Sequence, residues 1–249
     1  MDGQGSASAH LQRVRQTARP FNGTPLPAFV GHDASASEKK AIQQDDAAVQ
    51  RWLETDYPAI AERAKKEKAT IFWEDETAVQ QDTNWIRGYA PHGKTPTILH
   101  DRRACYGAPV MISAVNNQGL SAFAFQRSAV RRYSFIRFLH RLIKDYGGKG
   151  RKLFVICDNC RIHHAKLVAA WCEAHKEEIE LFFLPSYSPE LNPDEFLNRQ
   201  LKTSLRVKGP KNHEETLEHA KEITSTFKSQ KTPIRACFTN ESTLYAQAA

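Results

Sequence analysis

The sequence predicts an α/β fold in which a mixed five-stranded sheet is flanked by helices. Three strand-like apolar runs come first, at 69–73, 106–115 and 120–126, and the last two are separated by a turn signal, Asn-Asn-Gln-Gly. Two further runs, 153–157 and 180–184, then alternate with helical segments. Antiparallel strands followed by strand–helix–strand–helix is the order of a ribonuclease-H-like fold. We therefore expect this fold, with extra helices at both ends of the chain.

Helical periodicity predicts the elements around the sheet. From Ser37 onwards apolar residues recur at three- and four-residue steps, and Pro58 is expected to restart the helix there. Ser134 is a candidate N-cap for a helix that stops at Gly147. Further helices are expected over about 165–175 and from Pro193, Asn212 and Thr232.

Composition and periodicity divide the chain into four segments. Residues 1–44 are rich in small and polar residues and are expected to form a disordered or degenerate N-terminal arm. Linker helices are expected at 45–68, and the α/β domain itself spans 69–205. Residues 206–249 are expected to add C-terminal helices that pack on the core.

The composition favours a polyanionic partner. The 249 residues carry 35 Lys and Arg against 28 Asp and Glu, a net charge of +7. Nucleic acid is the leading partner for such a charge, although a merely basic soluble protein would have the same balance. With 41% hydrophobic residues, the chain can bury one substantial core.

Sequence features also predict where the protein acts. The apolar runs are far shorter than the roughly 20 residues that span a bilayer, and we see no secretory signal. Five cysteines without scaffold-like spacing favour a reducing compartment. We expect a cytoplasmic protein, associated with the nucleoid of a bacterium.

Three acids stand where a metal-dependent phosphoryl-transfer site needs them. Asp75 follows the first predicted strand, Asp158 ends the buried run 153–157, and Glu195 lies in the first turn of a predicted helix. Two divalent ions about 3.5–4 Å apart can activate a nucleophile and stabilise the phosphoryl oxygens. Mg²⁺ prefers carboxylates and waters as ligands. We expect Asp75 to bridge two Mg²⁺ or Mn²⁺ ions, with Asp158 and Glu195 each holding one.

Each acid also has a purely structural interpretation. Asp75 could simply end a strand, Asp158 could cap the next helix, and Glu195 could form a capping box with Asn192. The joint placement of the three acids on one topology favours the catalytic interpretation.

The residues around Asp158 leave two further alternatives. Cys157 and Cys160 form a CxxC, which is typical of a thiol pair or, together with His163 or His164, of a zinc site. We disfavour both, because Cys157 ends an apolar strand and no second CxxC exists in the sequence. The two histidines could contact DNA phosphate or position a water or a metal ligand, and the ordinary alternative is a structural or solvent-exposed histidine.

Three parts of the chain resemble the insertion-sequence-630 and mariner group of DDE transposases. They are Trp-Glu-Asp-Glu at 73–76 with 87–96, Val-Ile-Cys-Asp-Asn at 155–159 with 163–166, and the long run 182–195, which contains Tyr-Ser-Pro-Glu-Leu-Asn-Pro. The resemblance runs from about Asp45 to Ala246. It implies a ribonuclease-H-like DDE catalytic domain with Asp75, Asp158 and Glu195 as its triad. It also implies Mg²⁺ or Mn²⁺, cleavage of double-stranded DNA at transposon ends, and strand transfer into a target, typically TA.

One part of the family pattern is missing. Residues 1–44 do not supply a convincing helix-turn-helix for end recognition. We expect either the catalytic half of a transposase, with a helix-turn-helix from an upstream frame as partner or fusion, or a catalytically silent DNA-binding remnant. A homodimer is a further expected partner. The candidate DNA contacts are Arg87, Lys94, Arg131, Arg132, His163, His164, Lys202, Arg206 and Lys208.

Overall fold

The central element is a mixed five-stranded sheet. The structure is a computed structural model that describes residues 41–80, 91–94, 107–127, 129–148 and 150–247. Its strands are β1 (Thr70–Ala78), β2 (Val110–Val115), β3 (Ser121–Gln126), β4 (Leu153–Cys157) and β5 (Ile179–Phe183). They lie in the order β3-β2-β1-β4-β5. The pairs β1–β2 and β2–β3 are antiparallel, whereas β1–β4 and β4–β5 are parallel. The predicted sheet is therefore confirmed.

Seven α-helices surround the sheet in the described part of the chain. They are α1 (Asp46–Arg51), α2 (Tyr57–Glu67), α3 (Arg132–Tyr146), α4 (Lys166–Ala174), α5 (Pro193–Lys208), α6 (His213–Ser229) and α7 (Lys231–Ala236). Short 3-10 helices cover Pro189–Leu191 and Glu241–Ala246. None of the described helices is both long enough and apolar enough to cross a bilayer.

Strand β1 separates two apolar cores. Ile71 and Trp73 pack on one side with α2, α5, α6 and α7, and Phe72 packs on the other with α3 and α4. We call these sides the α5 face and the α3 face of β1. Because side chains alternate along a strand, Asp75 belongs to the α5 face and Glu74 to the α3 face.

One of two predicted helix starts was wrong. Pro58 lies in the first turn of α2, where the sequence predicts a helix to start, although one π-helical turn, Trp52–Asp56, joins α1 to α2 without a break. Proline lacks the N–H of a regular helix, and the wider turn interrupts the α-helical hydrogen bonds at this point. Ser134 is not the N-cap of α3 but lies one turn inside, where its Oγ accepts a hydrogen bond from Arg131 N–H at 2.8 Å.

The turn between β2 and β3 lies where the sequence predicts it. Asn116 Oδ1 accepts hydrogen bonds from the backbone N–H groups of Gln118 and Leu120. Gly119 has φ +86°, a left-handed conformation that glycine adopts without strain.

Some predictions fall outside the described residues. The predicted arm lies there almost entirely, as does most of the stretch 87–96 that carries part of the family resemblance. The contacts of the chain group Lys40–Ala249 into one unit. The finer boundaries at 45–68, 69–205 and 206–249 stay predictions.

Candidate active site

A cavity of about 430 Å³ lies beside the sheet where β4 ends and α5 begins. Its lining includes Asp75, Asp158 and Glu195. The register of β1 and β4 explains part of this meeting. Trp73 pairs with Ile156 in the parallel register, and Asp75 and Asp158 each follow this pair by two residues, so both strands run towards the cavity. The structure therefore brings the three predicted acids together at one open site.

Asp75 is half-buried on the α5 face of β1. Its Oδ2 accepts a hydrogen bond from Asn198 Nδ2 at 2.6 Å, and Asn198 is itself fully buried in α5. Burial raises the pKa of Asp75 well above its ordinary value, and the neighbouring Glu195 and Asp194 raise it further. A bound cation would relieve this repulsion between carboxylates.

Asp158 is the most accessible of the three acids, with 56% of its side chain exposed. Its Oδ1 accepts the backbone N–H of Cys160 at 3.0 Å and lies 3.0 Å from His163 Nε2. Although partial burial acts to raise it, these hydrogen bonds hold the pKa of Asp158 below its ordinary value. Asp158 is thus kept ionised and fixed in direction.

Glu195 reaches the cavity because the start of α5 is tied to β1. Asn192 caps the helix by accepting the N–H of Asp194 at 3.0 Å, and its Nδ2 donates to the backbone carbonyl of Glu74, also at 3.0 Å. Burial raises the pKa of Glu195, whereas Lys202 and Arg199 on the same helix act in the opposite direction. Because Asn192 caps the helix, the side chain of Glu195 is not needed as a cap, and its carboxylate can line the cavity.

The rim of the cavity is the Pro- and Ser-rich turn of residues 184–189. Asn159 Nδ2 donates to Ser186 Oγ at 2.9 Å, which joins this turn to the loop after β4. Gln44, just before α1, donates to Ser188 Oγ at 3.1 Å. Tyr187 has φ +58° and is 60% exposed, so its ring is available at the mouth of the cavity.

The donor set fits a hard divalent cation. The cavity presents three carboxylates. The pKa values of Asp75 and Glu195 are raised, whereas the third carboxylate, that of Asp158, is accessible and kept ionised. Oxygen ligands with room for water are what Mg²⁺ and Mn²⁺ prefer. Asp75, Asp158 and Glu195 are the residues that would hold such an ion.

The predicted DNA contacts are spread over several surfaces. Lys94, Arg131, Arg132 and His164 are exposed, whereas Lys202 and Arg206 are half-buried on α5. Lys208 is paired with Glu222 at 2.7 Å. Arg87 lies outside the described residues.

His163 is a correction to the predicted DNA contacts. Only 2% of it is exposed, and its ring packs on Phe135 with centroids 4.4 Å apart. A phosphate cannot reach this ring. The structure supports the other interpretation, in which His163 positions an acid, because its Nε2 lies beside Asp158.

Two residues of the site were missed in the sequence, Asn198 and Asp194. Asn198 stands three residues after Glu195, so the helical period places both near the same face of α5. That spacing is the signal that could have identified Asn198. Asp194 is completely buried beside the site, and burial raises its pKa well above the ordinary value. No sequence pattern distinguishes it from an exposed acid of a first helical turn.

A ribonuclease-H-like sheet with an acid-lined cavity defines a class, the polynucleotidyl-transferase type of enzyme. Family membership agrees with it. The model of the DDE superfamily endonucleases matches residues 70–218, more than half of the chain. The chain belongs to this family.

Solved structures of the Mos1 mariner transposase have the same fold. A paired-end complex with Mn is similar with a TM-score of 0.62 and 15% identity, over 88% of this chain and 66% of that one. The isolated Mos1 catalytic domain gives a TM-score of 0.54 and 14% identity, over 82% of this chain and 93% of that one. The chain thus spans just under two thirds of the first Mos1 chain. No curated protein matches the sequence significantly.

Proposed function

We propose that this chain is a transposase catalytic domain that cleaves DNA strands and transfers them to a target in a metal-dependent reaction. The observation that carries the proposal is the meeting of Asp75, Asp158 and Glu195 at one open cavity. Their positions along the chain are far apart, and each is delivered by a different element: β1, the end of β4 and the start of α5.

Each of the three acids has a role in this proposal. In this proposal Asp75 would bridge two ions, while Asp158 and Glu195 would each hold one. Divalent ions supply an activated nucleophile and neutralise the charge that develops on the phosphoryl oxygens. Asn198 and His163 contribute by fixing the carboxylates of Asp75 and Asp158 in direction.

Mg²⁺ or Mn²⁺ is the proposed cofactor, with two ions per site. The set of three carboxylate ligands supports the choice of a hard ion. The Mos1 paired-end complexes described with Mn and with Mg are structures of the same fold.

Double-stranded DNA is the proposed substrate, as transposon ends and as a target, with TA as the expected target. Arg161 supports a path for DNA, because it lines the acid cavity and also a neighbouring hollow that contains Arg131, Arg132 and Tyr133. Arg131, Arg132 and Arg161 would thus form a basic path from the start of α3 to the carboxylates. Lys202 and Arg206 extend the proposed contact surface along α5.

End recognition and assembly belong to the same proposal. A helix-turn-helix from an upstream frame would supply specific binding to the ends, and a homodimer would pair two of them. A chromosomal substrate places the protein at the bacterial nucleoid, in the cytoplasm.

A nicking assay tests the function. We expect the full chain to nick a supercoiled plasmid in Mn²⁺, and Asp158→Asn to lower the rate by about 10³-fold or more, since three orders of magnitude correspond to about 4 kcal/mol of barrier. Asp56→Asn is the matched control, because Asp56 is a partly exposed acid that is paired with Arg51 and is not part of the cavity lining. Circular dichroism checks that both variants fold. Full activity of Asp158→Asn would refute the assignment.

The same assay separates the active enzyme from a silent remnant. A wild-type chain that binds DNA with strong salt dependence but never nicks it, in Mg²⁺ or in Mn²⁺, would favour the remnant.

A further inference from the structure

The α3 face of β1 holds a second group of metal-ligand side chains. Glu74, Cys157 and His163 each offer one ligand atom, and these atoms all lie within 4.8 Å of one another. The exposed fractions of the three residues are 0%, 0% and 2%. Strand alternation keeps this cluster away from Asp75 and Glu195, which belong to the α5 face.

Several polar atoms of this cluster lack the partners that buried groups normally have. Among the described residues, neither carboxylate oxygen of Glu74 accepts a hydrogen bond from a nitrogen or oxygen donor, and Nδ1 of His163 has no partner either. The Cys157 thiol is the polar group beside the carboxylate. Burying an ionised carboxylate without a partner is strongly unfavourable for folding, so a proton or a cation must compensate its charge.

A cation compensates the cluster better than a proton does. A proton on Glu74 neutralises one carboxylate and can serve one acceptor only. A divalent ion would balance two negative charges, the Glu74 carboxylate and the Cys157 thiolate, and would also take a lone pair of the His163 ring, so that it contacts all three ligand atoms at once. Carboxylate, thiolate and imidazole are the three protein donors that zinc accepts.

We propose that Glu74, Cys157 and His163 form a buried structural site for Zn²⁺. The thiolate and the imidazole select zinc over Mg²⁺, which takes oxygen ligands. A fourth donor completes the usual tetrahedral set. Glu76, two residues further along the same face, also has a buried carboxylate oxygen with no hydrogen-bond partner in the described part of the chain.

This site differs from the CxxC zinc site that the sequence suggested. Cys160 is outside the cluster and instead lines the acid cavity. Glu74 takes its place as the third ligand. Because His163 also contacts Asp158, the zinc would anchor the loop after β4 from the side opposite to the catalytic ions.

Metal analysis of the full chain tests the proposal. The protein is purified from zinc-supplemented cells, dialysed against EDTA and analysed by elemental mass spectrometry. We expect about one zinc per chain, in line with the single proposed set of ligands. Refolding in Co²⁺ should give thiolate-to-cobalt charge-transfer absorption, which reports sulfur ligation directly.

Variants locate the ion. Cys157→Ser should lose the cobalt charge-transfer band, and His163→Gln should lose the zinc. Cys160→Ser, three residues away, should keep both. Asp75→Asn should also keep both, although it removes an acid of the catalytic cavity. A positive result is therefore independent of nicking.

Two results would overturn the proposal. The first is a folded wild-type chain that contains no zinc and shows no cobalt charge transfer after refolding. The second is a band that Cys157→Ser retains or that Cys160→Ser abolishes. The wild-type measurements decide the matter even if a ligand variant fails to fold.

Discussion

The two faces of β1 carry adjacent acids that have opposite surroundings. Asp75 opens onto a cavity on the α5 face, next to Asp158 and Glu195, and is held by an amide donor. Glu74 is sealed on the α3 face against a thiol and an imidazole. One step along a strand changes the face, and with it the solvent access and the neighbouring donors. The type of ion that each acid can hold follows from those neighbours.

The largest expected difference between the two faces is in the nicking activity of variants at Asp75 and Glu74. We expect Asp75→Asn to lower Mn²⁺-dependent nicking by about 10³-fold or more, which is about 4 kcal/mol of barrier. Glu74→Gln should lower it by about tenfold at most, because its effect passes through the position of Asp158. Both rates are measured per folded molecule by plasmid nicking. Equal losses in the two variants would show that the faces do not differ in function.

The amide of Asn198 should matter for metal affinity rather than for the fold as a whole. Asn198→Ala removes the hydrogen bond to Asp75 Oδ2, which directs that carboxylate into the cavity. Loss of such a partner typically weakens metal binding by about 10–100-fold. The check is the Mn²⁺ concentration that gives half-maximal nicking, which should rise while the saturated rate changes less.

Asn159→Ala serves as the control for that experiment. It removes an amide that bonds the rim residue Ser186 rather than an acid. An unchanged Mn²⁺ requirement in Asn198→Ala would contradict the positioning role.

Asp194 should reduce stability as the pH rises. Burial raises the pKa of Asp194 well above the ordinary value of about 4, so the native state binds its proton more tightly than the unfolded state. The contribution of Asp194 to the free energy of unfolding is therefore greatest below about pH 4 and falls as the pH increases towards the raised pKa. Asp194→Asn does not titrate and should be more stable than the wild type at pH 7, by about 1 kcal/mol or more.

Urea unfolding at two pH values checks this sign. The advantage of Asp194→Asn should be present near pH 7 and should shrink towards about pH 3, below the unfolded-state pKa, where the wild-type acid is largely protonated in both states. An advantage that grows towards acid pH would mean that Asp194 is stabilised as an anion.

Sequence patterns could predict the sheet because each strand is locally visible. The apolar run before Asp158 and the turn at Asn116 are signals of only a few residues, and both lie where they were predicted. The helix start predicted at Pro193 placed Glu195 in a first helical turn, and the cap of that helix, Asn192, lies three residues before Glu195.

Tertiary contacts decided what the sequence could not show. The burial of His163 depends on Phe135, which lies in a helix distant along the chain. No residue next to His163 in the sequence could therefore have shown that it does not contact DNA. Likewise, Glu74 and Asp75 look equivalent in the sequence, and only the packing of α3 and α5 separates them. The π-helical turn before Pro58 is a further case, because no sequence signal predicted that α1 and α2 would be joined by it.

The most direct test of the central idea is the position of bound metal. Crystals of the full chain soaked in Mn²⁺ give an anomalous difference map in which the ions are visible without reference to activity. We predict peaks bounded by the carboxylates of Asp75, Asp158 and Glu195, and their loss in Asp75→Asn. Manganese bound elsewhere, with no peak between these three carboxylates, would contradict the account.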